Sequence, residues 1–210
     1  MDLKKLERLQ NRLKDRLTFL PLKGEVSRVA GCDASFPGGM TLGVCVVLGY
    51  PSLDVVEVSY SLLKTHFPYI PTFLSFRELP SLMQAYRNLK YKPDLILVDG
   101  QGIAHPRGMG IASHLGIIIG KPVIGVAKSR LFGNFDGDVP DERGGFVHLK
   151  HEGKVIGAVV RTRKGVKPVF VSPGNLITVE DSVKWVLKLT GRYRLPEPVR
   201  IADRYSRTLL

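Results

Sequence analysis

Leucines stand at positions 3, 6, 9, 13, 17 and 20, steps of three and four with Lys and Arg between them. That spacing predicts an amphipathic opening helix. Three β-rich runs follow, Val26 to Phe36, Met40 to Leu48 and Asp54 to Leu63, separated by Pro37-Gly38-Gly39 and Tyr50-Pro51-Ser52. Turn-bounded runs of this length predict an antiparallel meander. A helical pattern then reaches Lys90, with Pro80 marking its first turn or a kink. Asp94 to Asp99 and Pro122 to Ala127 are short apolar runs on either side of a helix-like stretch from about Gly108 to Gly120. Strand, helix, strand with short links predicts a right-handed βαβ unit and parallel pairing. Val147 to Lys150 and Lys154 to Arg161 form a hairpin about His151-Glu152-Gly153, Pro168 to Val171 adds a further strand, and helices over Thr178 to Leu189 and Pro198 to Leu209 close the chain.

These elements predict an α/β fold: a mixed five-stranded sheet, antiparallel meander first and parallel βαβ second, with helices on both faces. The order is that of ribonuclease H-like folds, although the periodicity alone fits other α/β sheets. With no internal repeat or linker, residues 1–210 read as one domain. A composition 44% hydrophobic and 24% charged excludes disorder for most of the chain. The longest apolar runs, Leu42 to Tyr50 and Leu115 to Ala127, fall short of a bilayer-spanning helix or are cut by Gly, Lys121 and Pro122. The expectation is therefore no membrane contact. The first residues alternate Leu with Lys and Arg rather than building an apolar signal-peptide core, so a cytoplasmic location is expected.

Charge changes the picture more. Thirty-one Lys and Arg against nineteen Asp and Glu leave +12, which points to a polyanionic partner, nucleic acid first among them. Ribosome-associated and merely soluble basic proteins share that signature. Cys32 and Cys45 lack metal-ligand spacing and read as buried reduced thiols. The chain has no phosphate-binding Gly-x-x-x-x-Gly-Lys-Ser/Thr loop, no complete Gly-x-Gly-x-x-Gly and no Gly-x-Ser-x-Gly elbow. P-loop hydrolases, dinucleotide enzymes and serine esterases lose ground accordingly.

Three carboxylates stand out. Asp33 interrupts an apolar strand, where an ionised group needs a cation or hydrogen-bond donors, unless it simply opens the turn at Pro37-Gly38-Gly39. Asp99 ends a buried strand, where ligand sites of open α/β sheets form, although Asp-Gly also starts ordinary turns. Glu78 sits near the start of a helix, where a carboxylate also suits the helix dipole. Converging, the three could hold Mg²⁺ and support phosphodiester hydrolysis. His105 could orient or protonate beside Asp99, whereas His114 reads as packing or surface, and His148 and His151 receive no role. Lys128, with Ser129, follows another buried strand and suits a phosphate contact or a plain surface lysine. Pro68-Tyr69-Ile70-Pro71 is a stiff segment that could insert between bases or pack on the core.

Taken together, Gly31-Cys32-Asp33-Ala34-Ser35-Phe36, Phe67-Pro68-Tyr69-Ile70-Pro71 with Leu74-Ser75-Phe76-Arg77-Glu78, Asp99-Gly100-Gln101-Gly102-Ile103-Ala104-His105-Pro106-Arg107 with Gly110-Ile111-Ala112-Ser113-His114, and Gly125-Val126-Ala127-Lys128-Ser129 resemble the endonuclease V family. The resemblance runs from about Val29 to Tyr205. It implies a ribonuclease H-like fold and a Mg²⁺-dependent endonuclease, Mn²⁺ substituting, with Asp33, Glu78 and Asp99 on the metal. By the same resemblance His105 and Lys128 lie near the scissile phosphate, and Tyr69 is a strand-separating wedge. The implied substrate is DNA with deoxyinosine, or RNA with inosine, cut at the second phosphodiester bond on the 3′ side to leave 3′-hydroxyl and 5′-phosphate ends. The flipped base would lie among Leu74, Ile111, Leu131 and backbone groups of Gly100 and Gly102. Two departures stand out: Thr72 where many relatives have glycine, and Asp203 where many bacterial relatives have histidine, a possible fourth metal ligand. Two other readings stay open, a structure-selective nuclease of the same fold acting on flaps or junctions, and a basic nucleic-acid-binding module with a degenerate site.

Overall fold

A computed structural model describes residues 2–209; Met1 and Leu210, the ends of the expected 1–210 domain, lie outside the described residues. The chain order is α1 (Leu3–Lys14), β1 (Arg28–Ser35), β2 (Met40–Gly49), β3 (Val55–Lys64), α2 (Leu74–Asn88), β4 (Leu95–Asp99), α3 (Ile111–Ile119), β5 (Val123–Ala127), β6 (Phe146–His151), β7 (Lys154–Val160), β8 (Val169–Asn175), α4 (Val179–Lys188) and α5 (Glu197–Thr208).

All eight strands share one sheet, in the order β3-β2-β1-β4-β5-β8-β7-β6. The expected antiparallel meander is β1-β2-β3, and β4 lies parallel to both β1 and β5. The expected five strands are therefore one part of a larger sheet. β8 pairs antiparallel with β5, and the β6-β7 hairpin joins through β8, a long-range pairing that local periodicity cannot reveal.

Side-chain alternation along the strands divides the core in two. Val29, Leu42, Val44, Val46, Leu95 and Leu97 face Val186, Val199 and Ile201 of α4 and α5. Ala30, Cys32, Cys45, Val47, Ile96 and Val98 face Leu82 of α2 and Leu115 of α3. Cys32 and Cys45 are buried free thiols, as expected, with sulfurs 2.9 Å apart.

Two local expectations need correction. α1 stops at Lys14 rather than reaching Leu20. Pro21 disfavours helix at the residue before it, and the chain beyond α1 instead docks as an extended segment, Thr18 N–H donating to Asn175 Oδ1 and Leu22 N–H to Asp181 Oδ2. Pro80 lies inside α2, not in its first turn, so the position four residues earlier lacks its helical donor.

Candidate active site

Asp33 near the end of β1 and Asp99 at the end of β4 lie on neighbouring parallel strands, at their carboxyl ends. Alternation turns both toward α5, as it does Val29 and Leu97. Gly31 lets α5 come close: a Cβ there would lie 1.8 Å from the Pro198 carbonyl oxygen. That contact brings Asp203, five residues further along α5, over the strand ends. Carboxylate oxygens of Asp33, Asp99 and Asp203 then lie within 4.8 Å of one another.

The trio is short of positive charge, and its neighbours respond. Lys128, just beyond β5, donates from Nζ to Asp99 Oδ2 at 2.5 Å and to Asp203 Oδ1 at 2.8 Å. Arg207 donates to the same Asp203 oxygen at 2.5 Å, and the Ser206 hydroxyl donates to Asp33 Oδ2 at 2.6 Å. Burial and then the charge of Asp99 push the Asp33 carboxyl up to about 6. Burial also raises Asp99, against the pull of Lys128. For Asp203 burial is outweighed by the hydrogen bonds from Lys128 and Arg207, which hold it below the usual carboxylate range. Hard oxygen donors this close suit a small divalent cation, and the Lys128 ammonium already bridges two of them.

Glu78, on α2, reaches the site from the other face of the sheet. It stands outside the trio yet feels it: burial, then Asp33 and Asp99, push its carboxyl up to about 8. Asp203 is the third member of the trio that the sequence placed only as a possible extra ligand.

Beside the carboxylates opens a cavity of about 380 Å³. Tyr69, Pro71, Leu74, Glu78, Asp99, Gly100, Ile111, Lys128, Ser129 and Leu131 are in its wall. Pro68 and Ile70 flank Tyr69 without lining it, and Tyr69 is 69% exposed, presented to solvent instead of packed on the core. Gly100 has φ +152° and sits so close that a Cβ would meet Ile111 Cγ2 at 2.5 Å, which makes glycine the fitting residue. Gly102 is not in the wall. It packs beneath, where a Cβ would lie 2.1 Å from the Pro173 carbonyl oxygen, and its N–H donates to Ser172 Oγ at 2.8 Å.

His105 lines the cavity, with both ring nitrogens turned to the chain. Its Nδ1 accepts the Arg107 backbone N–H at 3.1 Å, which places the ring proton on Nε2, 2.9 Å from the Thr72 carbonyl oxygen. Both nitrogens are thus engaged within the protein, and burial lowers the imidazole to about 4. A ring so held positions the chain around Thr72. His114 is buried against Ser75 Oγ at 3.2 Å, the packing role expected of it.

Sequence reading missed two supports. Gln101 Nε2 donates to the Ser129 carbonyl at 3.1 Å, and Arg194 Nη2 donates to the Lys128 carbonyl at 2.8 Å. Both tie down the Lys128–Ser129 segment. Arg194 carries no local signal, because its partner lies 66 residues away.

With this geometry in hand, residues 9–204 match the family model described as endonuclease V. The chain belongs to the endonuclease V family. Endonuclease V of Dictyoglomus turgidum is 45% identical over 204 residues, 97% of this chain and 89% of that protein. The crystal structure of endonuclease V from Bacillus subtilis superposes with a TM-score of 0.93 at 34% identity, covering all of this chain and 92% of the other. Endonuclease V of Ciona intestinalis, crystallised with a 24mer DNA containing an inosine followed by a ribo-adenosine, gives 0.87 at 28% identity, covering 99% and 97%. The mixed sheet with helices on both faces is thus the fold of this family, and the chain is an endonuclease with an acidic metal site.

Proposed function

We propose that this protein hydrolyses nucleic-acid strands beside deaminated adenine, deoxyinosine in DNA and inosine in RNA, using Mg²⁺ or Mn²⁺. The observation that carries this reading is the convergence of Asp33, Asp99 and Asp203 next to an open cavity of about 380 Å³, with room for a nucleobase. Asp33, Asp99 and Asp203 would hold the ion, with Glu78 beside them. The ion would supply charge stabilisation at the phosphate and ease ionisation of the attacking water.

The chain's own groups do the rest. Lys128 offers a cation at the rim for a strand phosphate, with Ser129 beside it. Glu78, pushed up to about 8 by burial and its carboxylate neighbours in the metal-free site, would give up its proton when an ion binds beside it. Leu74, Ile111 and Leu131 supply apolar walls for an everted purine, with half-buried Gly100 in the same wall. Hypoxanthine lacks the 2-amino group of guanine, so a tight wall at that position excludes guanine by contact. Tyr69, held between Pro68 and Pro71, parts the strands as the base leaves the stack. Cleavage falls at the second phosphodiester bond on the 3′ side and leaves 3′-hydroxyl and 5′-phosphate ends.

Matched strands with and without one inosine, incubated with Mg²⁺ or EDTA, test the reading. A single nick appears only with inosine and the ion together, and Asp99→Asn abolishes it. Cleavage that survives EDTA contradicts the mechanism, and equal cutting of undamaged branched DNA favours the structure-selective alternative.

A further inference from the structure

Thr72 follows the Pro68-Tyr69-Ile70-Pro71 segment with φ +68°, a left-handed conformation that strains a β-branched residue. Its carbonyl oxygen is where three donors from two distant parts of the chain meet. Gln10 Nε2 lies 3.1 Å away, His105 Nε2 2.9 Å and Arg107 Nη2 2.9 Å. Arg107 Nη2 also reaches Thr72 Oγ1 at 2.6 Å, so one guanidinium grips backbone and side chain together.

Arg107 is itself fixed from three sides. Its Nε donates to Gln10 Oε1 at 2.5 Å, its Cζ lies 4.4 Å from the centre of the Phe73 ring, and Glu7 is 3.7 Å from Nη1. Gln10 is fully buried on α1, a helix whose other residues are largely exposed. A buried glutamine bonding both the arginine and the carbonyl it holds is a costly arrangement unless the position of that carbonyl matters.

We propose that Gln10, His105 and Arg107 form a clamp that keeps Thr72 left-handed and thereby fixes Tyr69 as the strand-parting wedge. This rests on the inosine-cleavage reading above. Phe73, on the far side of Thr72, is buried and opens α2, so it cannot move readily. If the clamp is released, Thr72 relaxes toward negative φ and the displacement falls on the Pro-Tyr-Ile-Pro side. A wedge is needed where pairing and stacking must be broken, and much less where the base is already unpaired. Glycine takes a left-handed φ without strain, so the clamp becomes dispensable if residue 72 is glycine.

The test compares single-turnover cleavage of a duplex with one deoxyinosine and of the same strand unpaired, for wild type, Arg107→Ala, Arg107→Lys, Thr72→Gly and the Arg107→Ala/Thr72→Gly double variant. The expected result is a loss of about tenfold or more on the duplex for Arg107→Ala, with the unpaired strand cut at near wild-type rate. Arg107→Lys fails to restore the duplex rate, because an ammonium cannot reproduce the planar fork. The double variant recovers most of it. Equal loss on both substrates, or no recovery with Thr72→Gly, overturns the proposal. Should Arg107→Ala fail to fold, Gln10→Leu removes one donor to Thr72 and one partner of Arg107. It is expected to give a milder loss with the same duplex selectivity and the same glycine rescue, and a uniform loss again overturns the proposal. Failure of wild type to prefer inosine-containing strands would instead refute the underlying function.

Discussion

In metal-free protein, raising the pH should destabilise the fold through Glu78. Its carboxyl is pushed from 4.5 up to about 8 by burial and by Asp33 and Asp99, so across pH 6.5–8 the folded state holds a proton that the unfolded chain has already lost. Stability therefore falls as pH rises, with a limiting slope of about 1.4 kcal/mol per pH unit for one proton. Integrated over that window the loss from this group alone is about 2 kcal/mol. His105 and His114, lowered to about 4 by burial, act the other way: their unfolded imidazoles are about half protonated at pH 6.5 and neutral at pH 8, which returns somewhat under about 1 kcal/mol for the pair and leaves a net fall of about 1 kcal/mol, about 3 °C in Tm. Asp33, raised to about 6, also titrates mainly below the window. The assay is thermal unfolding in EDTA at closely spaced pH values, for wild type and Glu78→Gln. Wild type should show the net fall and Glu78→Gln a small rise from the two histidines, while added Mn²⁺ should reduce the wild-type fall by stabilising the ionised carboxylate. A wild-type Tm that is constant or rises from pH 6.5 to 8, or an equal slope in Glu78→Gln, refutes the reasoning.

Other consequences follow from the same geometry. Lys128→Met removes the cation bridging Asp99 and Asp203; Mn²⁺ affinity measured by calorimetry should rise while cleavage falls, and a weaker affinity would mean that Lys128 does not compete with the ion. Gly31→Ala puts a Cβ against the Pro198 carbonyl and pushes α5 from β1, which should cost about 1–3 kcal/mol in denaturant unfolding and separate Asp203 from Asp33; unchanged stability would contradict the packing argument. The exposed Lys5, Arg8 and Arg12 of α1 lie on the helix that Gln10 anchors to the wedge segment; changing all three to Gln should lower the slope of log affinity against log salt by up to about 0.9 per lost phosphate contact, and an unaltered slope would exclude this helix from the nucleic-acid track.

Much of the sheet's central frame was legible because each strand carries its own burial signal. Asp94 to Asp99 and Pro122 to Ala127 are apolar runs too short for helices, and both sit inside the sheet with parallel neighbours. The attachment of β8 to β5 was not legible, since pairing between Phe170 and Ala127 depends on a register set only once the helices have packed. Asp33 and Asp99 could be picked out as carboxylates in or at the end of buried strands. Asp203 could not be ranked above Glu78 from sequence, because its approach depends on a missing side chain at Gly31, far away in the chain. His105 could be picked out by its place after Asp99, but its tie to the Thr72 carbonyl depends on a segment more than thirty residues away and left no local signal.

Everything turns on a divalent cation lying among carboxylates delivered by β1, β4 and α5. Anomalous diffraction at the manganese edge, from crystals of the full chain grown with Mn²⁺ and an uncleaved inosine-containing strand, addresses this directly. The expected result is a peak within coordination distance of Asp33, Asp99 and Asp203 oxygens, with Lys128 displaced from between them. Manganese bound elsewhere, with the Lys128 bridge intact, would contradict it.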